Sequence, residues 1–242
     1  MNSWLADTKR KYLRGWDRRQ TCILIGSAVL LTLHKHISRR SFYRANFSEY
    51  FDFIGAPLAQ ILPYHYWFLM SGFTLLLFPM LVVKFGIKDR LRDYGFRLGN
   101  GKLGWGFVLV GWLLMLPVII LAVELFPSFQ QKYPLSEVAG DSWQMFIPYE
   151  ISYGIYMFSW ECFFRGFMLF GLEKRFGKYS VLIQTIPFAV LHYSKPFPEA
   201  MGSVPAGILL GVLALETRSF IYGAALHWFV ALSMDIVAVL GS

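Results

Sequence analysis

The sequence has little charge and few cysteines, and both shortages narrow the class of protein. Only 16% of its 242 residues are charged whereas 56% are hydrophobic, and the apolar residues lie in long runs. No polar stretch between those runs is long enough for a separate soluble core, so we expect one domain over residues 1–242. Cys22 and Cys162 stand singly in apolar segments, without the spacing of a metal site or a disulfide framework. The composition therefore predicts a polytopic membrane protein.

A net charge of +8 could suggest a nucleic-acid partner, but the distribution of the basic residues argues against one. They occur in short segments between the apolar runs, which is the pattern that membrane topology produces. A group of basic residues precedes the first run, namely Lys9, Lys11, Arg14, Arg18 and Arg19. The letters "HKHISRR" follow that run, where a signal peptide would have small residues, so we expect an uncleaved anchor.

Seven apolar segments are predicted to cross the bilayer as helices, which gives an all-α bundle. They lie at about 21–33, 66–86, 105–126, 145–172, 179–193, 201–215 and 220–240. The connections "KDRLRDYGFRLGNGK" and "EKRFGK" are basic, which places both in the cytoplasm together with the amino terminus. Four basic residues after the first span would then lie outside, unless "FDFIGAPLAQILPY" contains a further segment: Lys35, Arg39, Arg40 and Arg44.

Ionisable residues inside the later spans are the candidates for function, because an unpaired charge in hydrocarbon costs several kcal/mol. These residues are Glu150, Glu161, Arg165, His192, His227 and Asp235. Glu161 and Arg165 are four residues apart, so they share a helix face and can form an ion pair. A purely structural ion pair is an equally good explanation at this point. Glu150 lies near the outer surface, where a solvated or capping acid is the favoured interpretation.

Three spans carry polar residues toward one layer of the bilayer. Measured from the expected cytoplasmic ends, Glu161 lies about 17 Å deep, His192 about 21 Å and His227 about 12 Å. A carboxylate, a guanidinium and two imidazoles at similar depth suit hydrolysis by an activated water. Asp235 is two turns beyond His227 and is a possible auxiliary residue. No zinc helix of the H-E-x-x-H type is present, so we favour no metal, although zinc is not excluded.

These residues resemble the intramembrane proteases of the CPBP family, the CAAX proteases and bacteriocin-processing enzymes also called Abi. In "WECFFRG", Glu161 and Arg165 match a glutamate and the arginine of the family's first motif. In "FAVLH", Phe188 and His192 match its second motif. In "HWFVA", His227 matches the histidine of its third motif. The resemblance covers about residues 145–242. It implies an intramembrane endopeptidase, with Glu161, Arg165, His192 and His227 as the catalytic residues, that cuts membrane-anchored proteins or peptides, and a bacterial cytoplasmic membrane as its location.

Two positions depart from the family pattern. Trp160 stands where the family has its first glutamate, the one usually assigned to water activation, and Ala231 stands where it has an asparagine. The alternative is therefore a catalytically inactive member that acts as a membrane scaffold or regulator. A small transporter with a Glu and His proton path is a third interpretation, although the sequence shows no pair of related halves.

Overall fold

The structure is a computed structural model that describes residues 15–51 and 53–241, together with Trp4, Asp7, Thr8, Lys11 and Tyr12. Lys9 and Arg14 of the basic amino-terminal stretch lie outside the described residues. Within the described part of the chain every regular element is a helix, so the predicted all-α class is confirmed.

Seven of the described helices match the seven predicted segments and extend most of them, and the short helix Arg40–Asn46 is additional. They are α1 (Arg18–Ile37), α2 (Arg40–Asn46), α3 (Leu58–Ile87), α4 (Gly101–Leu125), α5 (143–176), α6 (Tyr179–Leu191), α7 (Phe197–Thr217) and α8 (Ile221–Leu240). Short helical turns at Ser48–Phe51, Leu91–Tyr94, Pro127–Gln130 and Glu137–Ala139 lie in the connections. Between Ser38 and Pro57 the described residues form only α2 and one such turn, and no further crossing segment.

Fewer helices qualify as membrane spans by length and composition than the seven predicted segments. Among the described residues α3, α4, α7 and α8 qualify, and α1 with α2 makes a fifth if that pair, bent by 56°, is one broken span. α6 is a shorter apolar helix of 13 residues. The described helices thus form an integral membrane bundle, in which α5 carries Glu150, Glu161 and Arg165 and α8 carries His227 and Asp235.

Contacts between the connections show that successive long helices alternate in direction. At one end, Arg19 in the first turn of α1 pairs with Asp89 after α3 at 2.7 Å, and the Asn100 N–H donates to the Thr217 carbonyl at 3.1 Å. At the opposite end, the Lys132 ammonium donates to the Ser194 carbonyl at 3.4 Å. We call the first the basic end, because it carries Arg18, Arg19, Lys88, Arg90, Arg92, Arg97, Lys102, Lys174, Arg175, Lys178 and Arg218. Both basic connections of the sequence therefore lie on the same side of the bundle.

The common position of these connections predicts their accessibility. In a background without Cys22 and Cys162, single cysteines at Lys88 and at Lys178 should resist an impermeant thiol reagent in intact cells, because positive connections stay in the cytoplasm. A cysteine at Asp141, an exposed residue of the opposite end, should be labelled. Labelling of the first two positions without labelling of Asp141→Cys would reverse the expected orientation.

The basic end is closed by a backbone contact that leaves no room for a side chain. Gly99 has a φ of +53°, and a Cβ at this position would lie 1.8 Å from the carbonyl oxygen of Thr217. The connection before α4 can therefore meet the end of α7 only where residue 99 is glycine, both for space and for backbone conformation.

Gly99→Ala should lower stability by more than the 1–2 kcal/mol that a left-handed backbone alone costs, because the Thr217 backbone must also move. Thermal unfolding in detergent micelles, followed by tryptophan fluorescence, measures the change. Gly106→Ala in α4 is the matched control, since nothing lies within 4 Å of a Cβ there. Its expected effect is neutral or slightly stabilising. Equal midpoints for the two variants would mean that the Gly99 contact is absent.

Candidate functional site

Glu161 is the centre of the buried polar residues. It is the last α-helical residue of the first part of α5, and residues 161–172 are all buried. Its Oε1 atom accepts a hydrogen bond from Arg165 Nη1 at 2.8 Å and lies 2.9 Å from His227 Nδ1 of α8. The side chains of Glu161 and Arg165 are both 0% exposed. The structure thus brings together three of the four residues that the sequence assigned to the site.

A change of helix geometry accompanies this ion pair. Immediately after Glu161 the α5 backbone is π-helical over Cys162–Phe170, the stretch that contains Arg165. Such widened turns occur frequently at functional sites. The Arg165 guanidinium lies 4.1 Å from the centre of the Phe188 ring and donates through Nη2 to the Gly207 carbonyl at 3.4 Å. One charged side chain therefore links α5 to α6, α7 and, through Glu161, α8.

The Gly207 and Gly211 pair of α7 allows α6 to approach closely, as the G-x-x-x-G spacing predicts. A Cβ at Gly207 would lie 2.9 Å from Thr185 Cγ2, and one at Gly211 would lie 2.9 Å from Val181 Cγ1. The Gln184 amide adds a hydrogen bond to the Gly207 carbonyl at 3.0 Å. This close packing holds α6, and with it His192, against the ion pair.

His192 reaches the site through an aromatic contact and not through a hydrogen bond to Glu161. Its Nδ1 lies 2.8 Å from the Phe188 carbonyl, which can only accept, so Nδ1 carries the proton and Nε2 has the free lone pair. The Phe188 ring contacts both imidazoles, with its centre 4.6 Å from that of His192 and 6.2 Å from that of His227. The fourth predicted residue is thus joined to the other three through the Phe188 ring.

A polar clamp at the end of the bundle opposite the basic end lies just beyond His192. The Tyr133 hydroxyl donates to Glu199 at 2.7 Å, Lys195 contacts that hydroxyl, and Lys195 pairs with Glu199 at 3.2 Å. Burial and the nearby Glu199 carboxylate raise the pKa of Tyr133 well above its ordinary value, so the hydroxyl stays a donor. The clamp ties the loop before α5 to the connection between α6 and α7.

The grouping of side chains does not fit a metal ion. Within the described ranges, no three His, Cys, Asp or Glu side chains are grouped in a way that would hold one. Oε1 of Glu161, the atom nearest to His227, is also occupied by the Arg165 guanidinium. This donor set therefore does not suit a zinc ion.

Comparison with known proteins agrees with this arrangement. Residues 144–233, from the start of α5 into α8, match the family model "Type II CAAX prenyl endopeptidase Rce1-like". The match agrees with the family resemblance that the sequence shows in this region. Neither the comparison with curated proteins nor the comparison with solved structures gave a match. The Rce1-like region contains Glu161, Arg165, His192 and His227, and the family that it resembles is one of CAAX-type membrane proteases.

Both departures from the family pattern are buried in aromatic or apolar surroundings. Trp160 is 5% exposed, contacts the Phe188 and His192 rings, and has an indole N–H without a hydrogen-bond acceptor in the described part of the chain. Ala231 packs in a cluster with Ile61, Phe68, Tyr149, Tyr153 and Met157. The second departure therefore leaves an apolar contact where the family pattern has an amide.

Glu150 and Asp235 face each other across α5 and α8, away from Glu161. Glu150 is only 5% exposed, so the solvated or capping role that the sequence favoured is wrong, because its side chain faces Asp235 and Trp228 of α8. Asp235 is 0% exposed. No oxygen of either carboxyl has a hydrogen bond of ordinary geometry within the described ranges. Asp235 thus belongs to a second polar contact of the same two helices.

Sequence reasoning missed one buried histidine beside the site. His34 of α1 is 6% exposed, and its ring lies 6.1 Å from that of Trp160. The available signal was a histidine near the end of an apolar helix, in "HKHISRR", but that segment was interpreted only as evidence against signal cleavage. The contact could not be predicted because it depends on how α1 packs against α5.

The two buried contacts should respond oppositely to replacement of one partner by an amide. Asp235→Asn replaces one of two adjacent buried carboxyls by a side chain that can donate a hydrogen bond to the other, so it should raise the midpoint of thermal unfolding by about 2–4 °C. Arg165→Gln leaves Glu161 without its guanidinium, at a cost of about 3–5 kcal/mol, and should lower the midpoint by roughly 10 °C. The measurement is tryptophan fluorescence of the purified protein in micelles. A large drop for Asp235→Asn would contradict a contact between two carboxyls.

Proposed function

We propose that the protein is an intramembrane endopeptidase that hydrolyses peptide bonds of membrane-anchored proteins or peptides. The observation that carries the proposal is the environment of the Glu161 carboxylate. Arg165 and His227 both bind Oε1, whereas Oε2 has no hydrogen-bond partner among the described residues. Oε2 faces Gly223, where a Cβ would lie 3.1 Å from it. One oxygen is thus fixed by positive or donating groups while the other is left as a proton acceptor.

In this proposal Glu161, oriented by Arg165 and assisted by His192, activates a water molecule. The water oxygen forms a bond to the peptide carbonyl carbon while one water proton passes to the carboxylate, and the carbonyl oxygen becomes an oxyanion. The C–N bond then breaks, the nitrogen takes that proton, and the products are a carboxylic acid and an amine. General-base assistance of this kind typically contributes 10²–10⁴ in rate.

His227 is assigned to the oxyanion. Because Nδ1 of its ring lies against Glu161 Oε1, the nitrogen available to the substrate is Nε2. Because Nδ1 donates to the carboxylate, Nε2 can donate to an oxyanion only in the doubly protonated ring, which is the form that this role requires. Loss of one oxyanion donor typically costs 10²–10³ in rate.

The proposed catalytic core is about residues 145–242 within a single transmembrane domain. Substrates would be cut near a membrane face, and prenylated CAAX peptides are the first class to test because of the Rce1-like match. We further propose a bacterial cytoplasmic membrane with the basic end toward the cytoplasm.

A catalytically inactive family member is the second candidate. Trp160 and Ala231 replace two polar residues of the family pattern, and the Glu161 side chain is fully buried. In that case the same polar residues serve as interhelical contacts of a membrane scaffold or regulator.

Glu161→Gln separates the two candidates. In proteoliposomes with a fluorogenic farnesylated CAAX peptide, it should reduce cleavage by at least about 100-fold for a general base. His192→Ala and His227→Ala should also lose activity, and the three changes combined should be scarcely worse than one. Glu216→Gln, at an exposed position of α7, is the matched control and should cleave normally.

A double variant isolates chemistry from folding. Glu161→Gln leaves Arg165 buried without a countercharge, so a loss of folded protein is expected in either case. Glu161→Gln with Arg165→Gln removes both charges and should restore much of the stability. If Glu161 is the base, cleavage stays absent in the refolded double variant. Cleavage that returns with stability, or a wild-type protein without activity on the peptide, would favour the scaffold.

A further inference from the structure

His34 is held by a hydrogen-bond network that α1 and α3 build between them. Its Nδ1 lies 3.2 Å from Thr74 Oγ1, and Ser38 Oγ lies 3.1 Å from the same oxygen. The Thr74 hydroxyl has a single proton, and we assign it to the backbone carbonyls of α3, which can only accept: that of Met70 at 3.1 Å and that of Ser71 at 3.5 Å. Thr74 Oγ1 therefore accepts from both His34 and Ser38.

This network fixes the tautomer of His34. Because Nδ1 donates to Thr74, the neutral ring carries its proton there and presents Nε2 as an acceptor. His192 has the same tautomer for the same reason, since its Nδ1 donates to the Phe188 carbonyl. Two imidazoles from α1 and α6 thus offer lone pairs in one buried region.

Trp160 contacts both of these histidines. The centre of its ring system is 6.1 Å from that of His34 and 5.9 Å from that of His192, and both contacts are edge-on. Its indole N–H is enclosed and has no acceptor within the described ranges. One free donor and two imidazole lone pairs therefore belong to one cluster of neighbouring rings, and a water bound among them would accept the N–H bond and donate one O–H to each imidazole.

We propose that His34 is a further residue of the site, which, together with His192 and the Trp160 indole, binds the water used for hydrolysis. This role rests on the proposed function. His34 supplies a hydrogen-bond acceptor and does not itself take the proton, which passes to Glu161 with the assistance of His192. In this arrangement α1 is part of the catalytic structure and not only an anchor.

Amide substitutions at position 34 distinguish Nε2 from Nδ1. Glutamine places a polar atom near the position of Nε2, whereas asparagine places one near Nδ1. His34→Ala and His34→Asn should lower kcat about tenfold with KM unchanged, the effect of one lost hydrogen bond, and His34→Gln should retain most of the activity. A purely structural link to Thr74 predicts the reverse order for Gln and Asn. The assay is cleavage of the farnesylated CAAX peptide, normalised to folded protein.

Two controls keep the proposal separate from the proposed function. His36→Ala changes an exposed histidine of the same helix and should have no effect. If Glu161→Gln abolishes cleavage while all His34 variants match the wild type, only the role of His34 fails. If Glu161→Gln cleaves normally or the wild type does not cleave the peptide, the proposed function fails. In that case an experimental structure that resolves waters still tests whether His34 binds a water. An ordered water shared by Trp160, His34 and His192 supports the proposed water site, and the absence of such a water overturns it.

Discussion

An ion pair that is completely enclosed in a membrane protein constrains everything around it. The side chains of Glu161 and Arg165 are both 0% exposed, and an unpaired charge there would cost several kcal/mol. Their remaining hydrogen-bond capacity must come from neighbouring helices. α8 supplies His227, α7 supplies the Gly207 carbonyl, and α6 supplies the Phe188 ring. The close packing of α6 on the glycines of α7 follows from the same need, because a larger residue at 207 would move that carbonyl away from the guanidinium.

The fold was largely predictable because hydrocarbon imposes one simple rule on the sequence. Backbone groups in the membrane must bond within their own segment, so long apolar runs become helices. The positions of Glu161, Arg165 and His227 were predictable for a related reason, since isolated polar residues in apolar segments must find each other. What the pattern could not predict is the distribution of burial at helix ends. Glu150 was assigned to the surface by its distance along the helix, but its side chain is buried against α8.

The aromatic residues explain why the surroundings of His192 were harder to predict. Spacing along the chain says nothing about whether Phe188 contacts one histidine or two, and here its ring contacts both His192 and His227. Trp160 poses the same difficulty. As a departure from a motif it indicated a lost function, whereas in the bundle it is the point where α1, α5 and α6 meet.

The paired contacts of α5 and α8 have a consequence for how this family region can change in evolution. Glu161 meets His227 and Glu150 faces Asp235, so the two antiparallel helices touch through polar groups at two heights. Two such points fix both the axial offset and the rotation of one helix against the other. An insertion or deletion of one residue between positions 150 and 161, or between 227 and 235, rotates one contact by about 100° while the other stays in place. These intervals should therefore keep their length in homologous chains while the connections outside them vary freely.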